Sequence, residues 1–347
     1  MPTPSMNRYN IDKVSPKACR DDIIEIMQRN LRHEAAAAIF AWRYENTPYG
    51  SAECWMARIG PNGPAVGSAA LFQRVFHVAG RPCMVFVAGD FSVDQPHRGF
   101  GPAFMLQRRI LSDIKGKSGC AWLYGIPNDK SRALFTKLGY RTVGCFRKYL
   151  KILKVDYVYK KLNITPNVFM KLLGTVIGAL SRERFYRRPK GISVESPDAF
   201  DSRFDSLWMA VKHQYPVIGE RTAAFLTWRY SELSGKTYKI FCLTRDGILA
   251  GYVVYLLLDG LCHVVDLLCF RDRRIVECLI SEFSLRMRAD GIEAISIRYF
   301  GSEYLDGCLR KYNFFRRGKD NDQIMVYEIE SGETVGSLEN EEKWYFL

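Results

Sequence analysis

The sequence lacks the patterns that mark several large protein classes. Five of its 347 residues are histidines, and its ten cysteines occur singly, with no C-x-x-C pair and no histidine–cysteine cluster. We therefore expect no metal site and no disulfide framework. Single thiols inside apolar runs indicate buried cysteines in a reducing compartment. No Gly-x-Ser-x-Gly motif or Cys/His pairing points to a covalent nucleophile.

The sequence also lacks a segment with the composition of a secretion signal or a membrane span. The start, Met1–Asn10, is polar and has no apolar core. The apolar stretch 168–180 is shorter than the roughly 20 residues that a crossing helix needs. The chain is therefore expected to be cytoplasmic.

What the sequence has in excess is positive charge, concentrated in one place. The chain carries a net charge of +13, and residues 141–190 alone hold 13 basic and two acidic residues. Within this range the apolar stretch 168–180 is followed by the basic run Arg182–Arg188. Such a segment suits either a helix on the anionic inner face of a membrane or a docked interdomain helix with solvated ends. Peripheral membrane contact through residues 168–190 is thus one of two interpretations, and no specific nucleic acid partner is expected.

Two halves of the sequence resemble each other in the same order. The matched pairs are Trp42-Arg43-Tyr44 with Trp228-Arg229-Tyr230, Val85–Asp90 with His263–Asp266, and Ala133–Tyr140 with Cys308–Phe314. Each half reads as a helix, paired strands, and then alternating helices and strands. This order predicts an α/β (α+β) fold in which two domains in tandem each have a mixed central sheet flanked by helices. The predicted domains are 1–150 and 193–347, joined by a basic, apolar connector at 151–192.

The most specific motif lies at a strand-to-helix turn in the first half. Residues 93–103 read VDQPHRGFGPA, between an apolar run and a helical pattern. Glycines in such a turn let backbone N–H groups surround a phosphate, and the helix N-terminus favours negative charge. The spacing Arg98-x-x-Gly101-x-Ala103 differs from a Rossmann fingerprint and from a P-loop. It resembles the acyl-CoA pyrophosphate loop of the GCN5-related N-acetyltransferases. The matching stretch of the second half, 266–274, has no glycine.

This resemblance implies an acyl-CoA co-substrate, with acetyl-CoA the first expectation, and it implies where the co-substrate binds. The residues expected at the pyrophosphate are Arg98, Gly99, Phe100, Gly101, Pro102, Ala103 and Phe104. The residues expected beside the pantetheine arm are Phe91, Ser92 and Val93. A backbone N–H of that strand is expected to polarise the thioester carbonyl.

A second motif, downstream, is also similar to the family. Asn128 matches an asparagine that contacts the cofactor arm, and Phe135 stands where the family has a general-acid tyrosine. A phenyl ring cannot protonate the leaving thiolate, so water or Tyr124 is expected to supply that proton. Asp90, on the strand before the turn, is the best-placed general base; its alternative role is to cap the strand or pair with an arginine.

The sequence therefore indicates an N-acyltransferase in which an amine attacks acyl-CoA directly within a ternary complex. The expected acceptor is a small-molecule or lipid-linked amine, such as an amino sugar or a cell-surface polysaccharide precursor. Two alternatives stay open. One is a peptidyltransferase similar to FemA and FemB, which takes its acyl group from aminoacyl-tRNA. The other is a non-catalytic sensor of acyl-CoA.

Overall fold

The structure is a computed structural model that describes residues 8–31, 36–98, 101–115, 117, 119–163, 181–318, 322–329, 338 and 340–347. Its described residues divide into two compact units, each built from three stretches of chain. The first unit contains Met1–Gly144, Glu232–Gly235 and Asn321–Glu339. The second contains Cys145–Ser231, Lys236–Asp320 and Asn340–Leu347.

Helices and strands alternate along the chain. From the start they are β1 (Tyr9–Val14), α1 (Arg20–Leu31), α2 (Ala36–Phe40), β2 (Glu53–Ile59), β3 (Ala65–Val78), β4 (Arg81–Val93), α3 (Gly101–Ile114), β5 (Cys120–Gly125), α4 (Asp129–Lys137), β6 (Arg141–Cys145), β7 (Arg147–Ile152) and α5 (Asp156–Leu162). After the connector come β8 (Ile192–Glu195), α6 (Ser202–Val211), β9 (Val217–Gly219), α7 (Ala223–Arg229), β10 (Lys239–Arg245), β11 (Ile248–Leu258), β12 (Leu261–Cys269), α8 (Arg273–Ala289), β13 (Ala294–Gly301), α9 (Glu303–Lys311), β14 (Phe315–Arg316), β15 (Gln323–Glu328) and β16 (Trp344–Phe346).

The sheet of the first unit has the order β6-β15-β5-β4-β3-β2-β1. Strands β1 to β4 are antiparallel neighbours, and β4 and β5 are parallel, joined by the crossover helix α3. Apolar residues of α3 such as Leu106 and Ile110 are buried against Trp55 and Phe86 on one face of the sheet. The other face carries a second core, in which α1 contributes Met27. Helices thus cover both faces, as a mixed α/β sheet requires.

The second unit repeats this order of elements. Strands β10, β11 and β12 are antiparallel neighbours, and α8 connects β12 to the parallel strand β13. Strand β8 adds to β10, and β7 lies antiparallel to β13. The predicted α/β class with a mixed, helix-flanked sheet is therefore seen in both units.

The two units do not follow the predicted boundaries at residues 150 and 193. Strand β7, which the sequence places at the end of the first half, pairs with β13 in the second unit. Strand β15, from the last part of the chain, pairs with β5 in the first unit. Each sheet is thus completed by a strand from the opposite half of the sequence. The second unit accordingly begins at Cys145, and the basic residues 145–163 and 181–190 belong to it.

The second unit contains a fully buried ion pair. Arg221 donates from Nε to both carboxylate oxygens of Asp266, at 2.9 and 3.1 Å, and Tyr252 donates its hydroxyl to the same carboxylate at 3.1 Å. All three side chains are buried. Removing one partner of such a pair leaves an uncompensated charge in the core, which costs far more than the loss of a surface pair.

We therefore expect Arg221→Met to destabilise the protein by about 3–5 kcal/mol. The measurement is the midpoint of urea unfolding. The matched control is Arg203→Met, because Arg203 pairs with Asp201 at 2.8 Å on the surface, and exposed pairs contribute about 0–1 kcal/mol. Equal shifts for the two variants would contradict the importance of the buried pair.

Candidate active site

Strands β4 and β5 part before β4 ends. Their parallel pairing runs from Met84 opposite Cys120 to Ala88 opposite Gly125 and stops there. Strand β4 continues for five residues to Val93 with β3 as its neighbour. Among the described residues, the edge of Gly89–Val93 that faces away from β3 has no strand partner. An unpaired strand edge offers N–H and C=O groups to an extended ligand.

The parting coincides with a β-bulge at Asp90. Ser92 lies opposite Ser68 and Gly89 opposite Ala70, so Asp90 and Phe91 together face the single residue Ala69. Asp90 has φ of 48°, in the left-handed region that aspartate tolerates better than most residues. Bulges bend a strand and redirect its side chains, and they are frequent beside active sites. The bulge therefore turns the end of β4 at the point where β5 leaves it.

Two side chains hold the Asp90 carboxylate. Arg43 donates from Nη2 to Oδ1 at 2.6 Å, and Tyr44 donates its hydroxyl to Oδ2 at 2.7 Å. Burial and the adjacent carboxylate hold the pKa of Tyr44 well above its usual value, so this hydroxyl remains a donor. The Asp90 side chain is only 6% exposed. Both oxygens therefore have a fixed partner, and the arginine role that the sequence left open for Asp90 is present in the structure.

Arg43 and Tyr44 reach Asp90 from an unusual turn. The helix α2 passes into a single π-helical turn, Ala41–Glu45, which is a rare conformation that often occurs at functional sites. The sequence signal for these two residues was the repeated Trp-Arg-Tyr triplet. Because the triplet occurs in both halves, it did not by itself single out Arg43 and Tyr44 as site residues.

The turn after β4 is fixed by contacts to α1. Asp94 accepts hydrogen bonds from Arg29 Nη2 at 3.0 Å and from Asn30 Nδ2 at 2.6 Å. Arg98 donates from Nε to the Val93 carbonyl at 3.0 Å and from Nη2 to Asn30 Oδ1 at 3.0 Å. Arg98 thus stabilises the turn through at least two of its donors. Gly99 and Phe100, both predicted phosphate-loop residues, lie outside the described residues.

Helix α3 begins at Gly101, immediately after the turn. Its first turn contains no acidic residue, so nothing there neutralises the positive end of the helix dipole. Pro102 is buried at a position where a missing N–H is tolerated, and Ala103 and Phe104 are partly buried. A Cβ atom added at Gly101 would have the Tyr9 ring as its nearest neighbour, at 3.9 Å. Among the described residues outside the helix, no other atom lies within 4 Å of that position.

Asn128 and Phe135 lie on the β5 side of the parting. Asn128 is the N-cap of α4, and its Oδ1 accepts from Ser131 N at 3.1 Å. Its amide NH₂ is the part left to donate to a ligand. Phe135 is buried against Tyr140, with ring centroids 4.6 Å apart, and its ring lies 3.3 Å from the place of a Cβ at Gly125. An apolar ring therefore lies at the point where β4 and β5 separate.

Tyr124 lies on the opposite face of β5 from Gly125, because side chains alternate along a strand. It is 2% exposed and packs edge-on against Phe76, with ring centroids 5.6 Å apart. Phe72, four residues earlier on β3, packs in the same way against Tyr44 at 5.4 Å. Tyr124 therefore shares a face of the sheet with the residues that hold Asp90, whereas Phe135 is on the other face. The predicted roles of Asp90 and Tyr124 remain predictions.

The second unit has an equivalent of Asp90 but no equivalent turn. Asp266 occupies the matching place on β12, and the register of β12 against β11 shifts just before it. Its partners, however, are Arg221 and Tyr252, not Arg229 and Tyr230 of the repeated triplet. The link from β12 to α8 is short, and Asp272 itself caps the helix. A carboxylate near the helix start disfavours an anion there.

A cavity of about 610 Å³ lies elsewhere, in the second unit. It opens beside the start of α8 and is lined by Gln214, Arg245, Ile248, Phe270, Asp272 and Ile275, among others. It contains none of the predicted site residues. Among the residues that the structure describes, no helix combines the length and apolar character needed to cross a bilayer, and no three potential metal ligands are grouped.

Comparison with known proteins shows a likeness of fold without a likeness of sequence. The sequence matches no protein-family model and no curated protein. The structure is similar to a conserved Enterococcus faecalis protein of unknown function described as a "Probable N-Acyltransferase", with a TM-score of 0.68, 13% identity, and coverage of 93% of this chain and 73% of that chain. It is similar, with the same identity and coverage and a TM-score of 0.66, to a GCN5-related N-acetyltransferase from Anabaena variabilis.

The structure is also similar to Saccharomyces cerevisiae N-myristoyltransferase with bound myristoyl-CoA. The TM-score is 0.56 at 11% identity, over 94% of this chain and 84% of that chain. At these identities the likeness concerns the fold. The chain has the fold of the GCN5-related N-acetyltransferases, which confirms the fold that the resemblance in the sequence implied.

The hydrogen bond from Tyr44 to Asp90 gives a direct test of the site. We expect Tyr44→Phe to lower the free energy of unfolding by about 1.5–3 kcal/mol, because a charged acceptor loses its donor. The control is Tyr140→Phe. The Tyr140 hydroxyl is buried in the same unit with no hydrogen-bond partner among the described residues, so its removal should be neutral or stabilising. Thermal and urea unfolding of both variants measure this, and a loss at Tyr140 as large as at Tyr44 would argue against the assignment.

Proposed function

We propose that this chain is an acyl-CoA-dependent N-acyltransferase whose reaction centre lies at the parting of β4 and β5. One observation carries the proposal: the unpaired edge of Gly89–Val93 is followed in the chain, after residues 94–100, by the start of α3. The strand edge can bind an extended arm that carries amide groups, and the helix start can bind a diphosphate. Coenzyme A has an amide-bearing pantetheine arm followed by a diphosphate, in the same order.

The charge at the start of α3 and the fixed turn before it are both compatible with binding of coenzyme A. Backbone N–H groups at a helix start bind phosphate, and α3 has no acid in its first turn to oppose it. Asp94 is held by Arg29 and Asn30, and Arg98 by Val93 and Asn30, so residues 94–98 are preorganised and lose little conformational entropy on binding. Similarity to N-myristoyltransferase with bound myristoyl-CoA supports an acyl-CoA ligand and leaves a longer acyl chain as an alternative to acetyl.

In the proposed reaction the nitrogen of a neutral amine attacks the thioester carbonyl carbon. A C–N bond forms, the C–S bond breaks, and the electron pair leaves with sulfur as the CoA thiolate. A backbone N–H of Phe91–Val93 donates to the carbonyl oxygen as negative charge grows on it, an effect worth 10²–10³ in rate for one donor elsewhere. The amine proton passes to Asp90, directly or through water.

Departure of the thiolate does not need a side-chain acid. Phe135 supplies none, but a thiol with a pKa of about 8.5 is a good leaving group near neutral pH. Water then protonates the thiolate, with the buried Tyr124 as the alternative donor. The phenyl ring of Phe135 instead excludes water from one side of the parting, which strengthens hydrogen bonds to the carbonyl.

The acceptor that we propose is an amine on an amino sugar or a cell-surface polysaccharide precursor, either free or lipid-linked. The experiment is isothermal titration with acetyl-CoA, myristoyl-CoA, CoA and NADH. Thiol release with a panel of amino sugars, polyamines and peptides then follows, detected with DTNB. Saturable acyl-CoA binding together with amine-dependent thiol release supports the enzyme. Binding with no release for any amine would favour a sensor, and transfer from charged tRNA without CoA would favour the FemA/FemB-like alternative.

A negative charge introduced at the start of α3 tests acetyl-CoA binding separately from folding. We expect Gly101→Asp to weaken acetyl-CoA binding by more than tenfold, since it places a carboxylate where the diphosphate is proposed. The fold should be retained or slightly stabilised, because the nearest described atom outside the helix is 3.9 Å from an added Cβ and acids favour a helix start by about 0.3–1 kcal/mol.

Two controls accompany this variant in the titration. Gly101→Ala adds only a methyl group, and Arg273→Asp places a carboxylate at the first residue of α8 in the second unit, with a larger change in net charge. Both should bind acetyl-CoA within about twofold of the wild type. If Gly101→Asp bound acetyl-CoA with wild-type affinity, the diphosphate would not bind at the start of α3.

Asp90→Asn tests the proposed proton acceptor. Asparagine also tolerates the left-handed backbone at this position, so the bulge should persist while the basic group is lost. We expect kcat to fall by about 10²–10⁴, as for other general bases, with acetyl-CoA affinity unchanged. An unaltered kcat, with reduced stability alone, would give Asp90 a structural role only.

A further inference from the structure

A short stretch of the connector, residues 181–190, is held firmly on the second unit. Glu183 is fully buried and accepts hydrogen bonds from Lys151 Nζ at 2.8 Å and Arg288 Nε at 2.9 Å. Arg188 binds Glu282 through two hydrogen bonds, at 2.7 and 2.6 Å. These buried anchors fix the path of the stretch, so its remaining side chains have a defined outward direction.

The outward side is basic with one large apolar group. Arg182, Arg184, Arg187 and Lys190 are exposed, and Phe185 between them is 77% exposed. We call these five residues the basic surface. None of its four cations forms an ion pair with a described residue, whereas Arg188, in the same stretch, is paired. Among described residues Phe185 is the most exposed of the large hydrophobic side chains.

A second exposed aromatic residue lies close by. The backbone N–H of Arg182 donates to Asn313 Oδ1 at 3.4 Å, which places the stretch beside the turn before β14. That strand carries Phe315, 44% exposed, and Arg316, also exposed. The basic surface therefore continues into a neighbouring element with the same combination of arginine and exposed phenyl ring.

We propose that the basic surface docks this protein onto an anionic lipid bilayer. The cations match the negative headgroups, each contributing about a fivefold gain in affinity close to such a surface. Phe185 enters the headgroup region, where an exposed phenyl ring loses its contact with water. An exposed ring of this size among unpaired cations has no energetic benefit in water. The proposal does not depend on acyl transfer and predicts binding whether or not the chain is an enzyme.

The sequence before the basic surface favours lipid over nucleic acid. Residues 168–180, which lie outside the described residues, are apolar with Lys171 as their single charge. A protein surface that binds nucleic acid would need further basic residues here, placed to contact successive phosphates of the backbone. A lipid surface needs charge next to apolar groups, which is the pattern in this part of the sequence.

The test is co-sedimentation of the full chain with phosphatidylcholine vesicles, with and without phosphatidylglycerol. We expect binding only to the vesicles that contain phosphatidylglycerol. The variant Arg184→Glu/Arg187→Glu should lower that binding at least about tenfold. The matched control is Arg245→Glu/Arg274→Glu, which changes the net charge equally elsewhere on the same unit and should bind within about threefold of the wild type. Equal loss in both variants would show that only net charge matters and would overturn the proposal.

The role of Phe185 needs its own measurement. Phe185→Ala should weaken vesicle binding severalfold, whereas Ile248→Ala, at an equally solvent-exposed apolar residue (68%) of the second unit, should not. In Phe185→Trp the added indole emission should shift to shorter wavelength with phosphatidylglycerol vesicles. Unchanged emission, or binding of a single-stranded RNA oligonucleotide in place of vesicles, would overturn the proposal. Far-UV circular dichroism checks that every variant is folded.

Discussion

The candidate site depends on one constraint, the separation of β4 from β5 after Ala88. A parallel pair gains a hydrogen-bonded ladder by continuing, so the separation must be imposed by something stronger. The separation coincides with the left-handed conformation of Asp90, which costs on the order of 1–3 kcal/mol. The hydrogen bonds from Arg43 and Tyr44 to the carboxylate offset that cost, since bonds to charged groups contribute about 1.5–3 kcal/mol each. A partly buried ion pair thus stabilises the bulge at the end of the strand.

The second unit shows that a carboxylate bound by an arginine and a tyrosine can occur without a glycine-bearing turn after it. Asp266 is bound by Arg221 and Tyr252 in the same chemical arrangement as Asp90, yet its pair is completely buried and no glycine turn follows. The arrangement therefore serves folding in the second unit without the loop. In the first unit the same arrangement lies beside an open helix start. What distinguishes the two units is the turn between β4 and α3, not the carboxylate.

The features that could be predicted from the sequence are those that depend on neighbouring residues in the chain. Alternating elements gave the mixed sheet in both units, and the glycine-bearing turn was placed correctly between β4 and α3. The sequence left an arginine partner open for Asp90 but did not identify Arg43 or Tyr44, because they lie 47 and 46 residues earlier in the chain and their triplet also occurs in the second half. The exchange of β7 and β15 between the units was missed for another reason. Strand pairing across about 150 residues for β7 and about 200 for β15 leaves no periodic signal in either strand.

The chemistry that we propose makes the proton on the amine more important than the proton on sulfur. Once the amine has attacked, the group with the lower pKa leaves more readily, and a thiol at about 8.5 lies below an alkylammonium at about 10.4. By this comparison the thiolate leaves more readily than the amine, so its departure needs no side-chain acid, and a phenyl ring at Phe135 is compatible with the reaction. The attacking nitrogen must still lose a proton to give the neutral amide, and Asp90 on the bulge is the proposed acceptor. A hydroxyl at position 135 would assist a departure that is already favourable, whereas without a base the nitrogen must lose its proton to water alone.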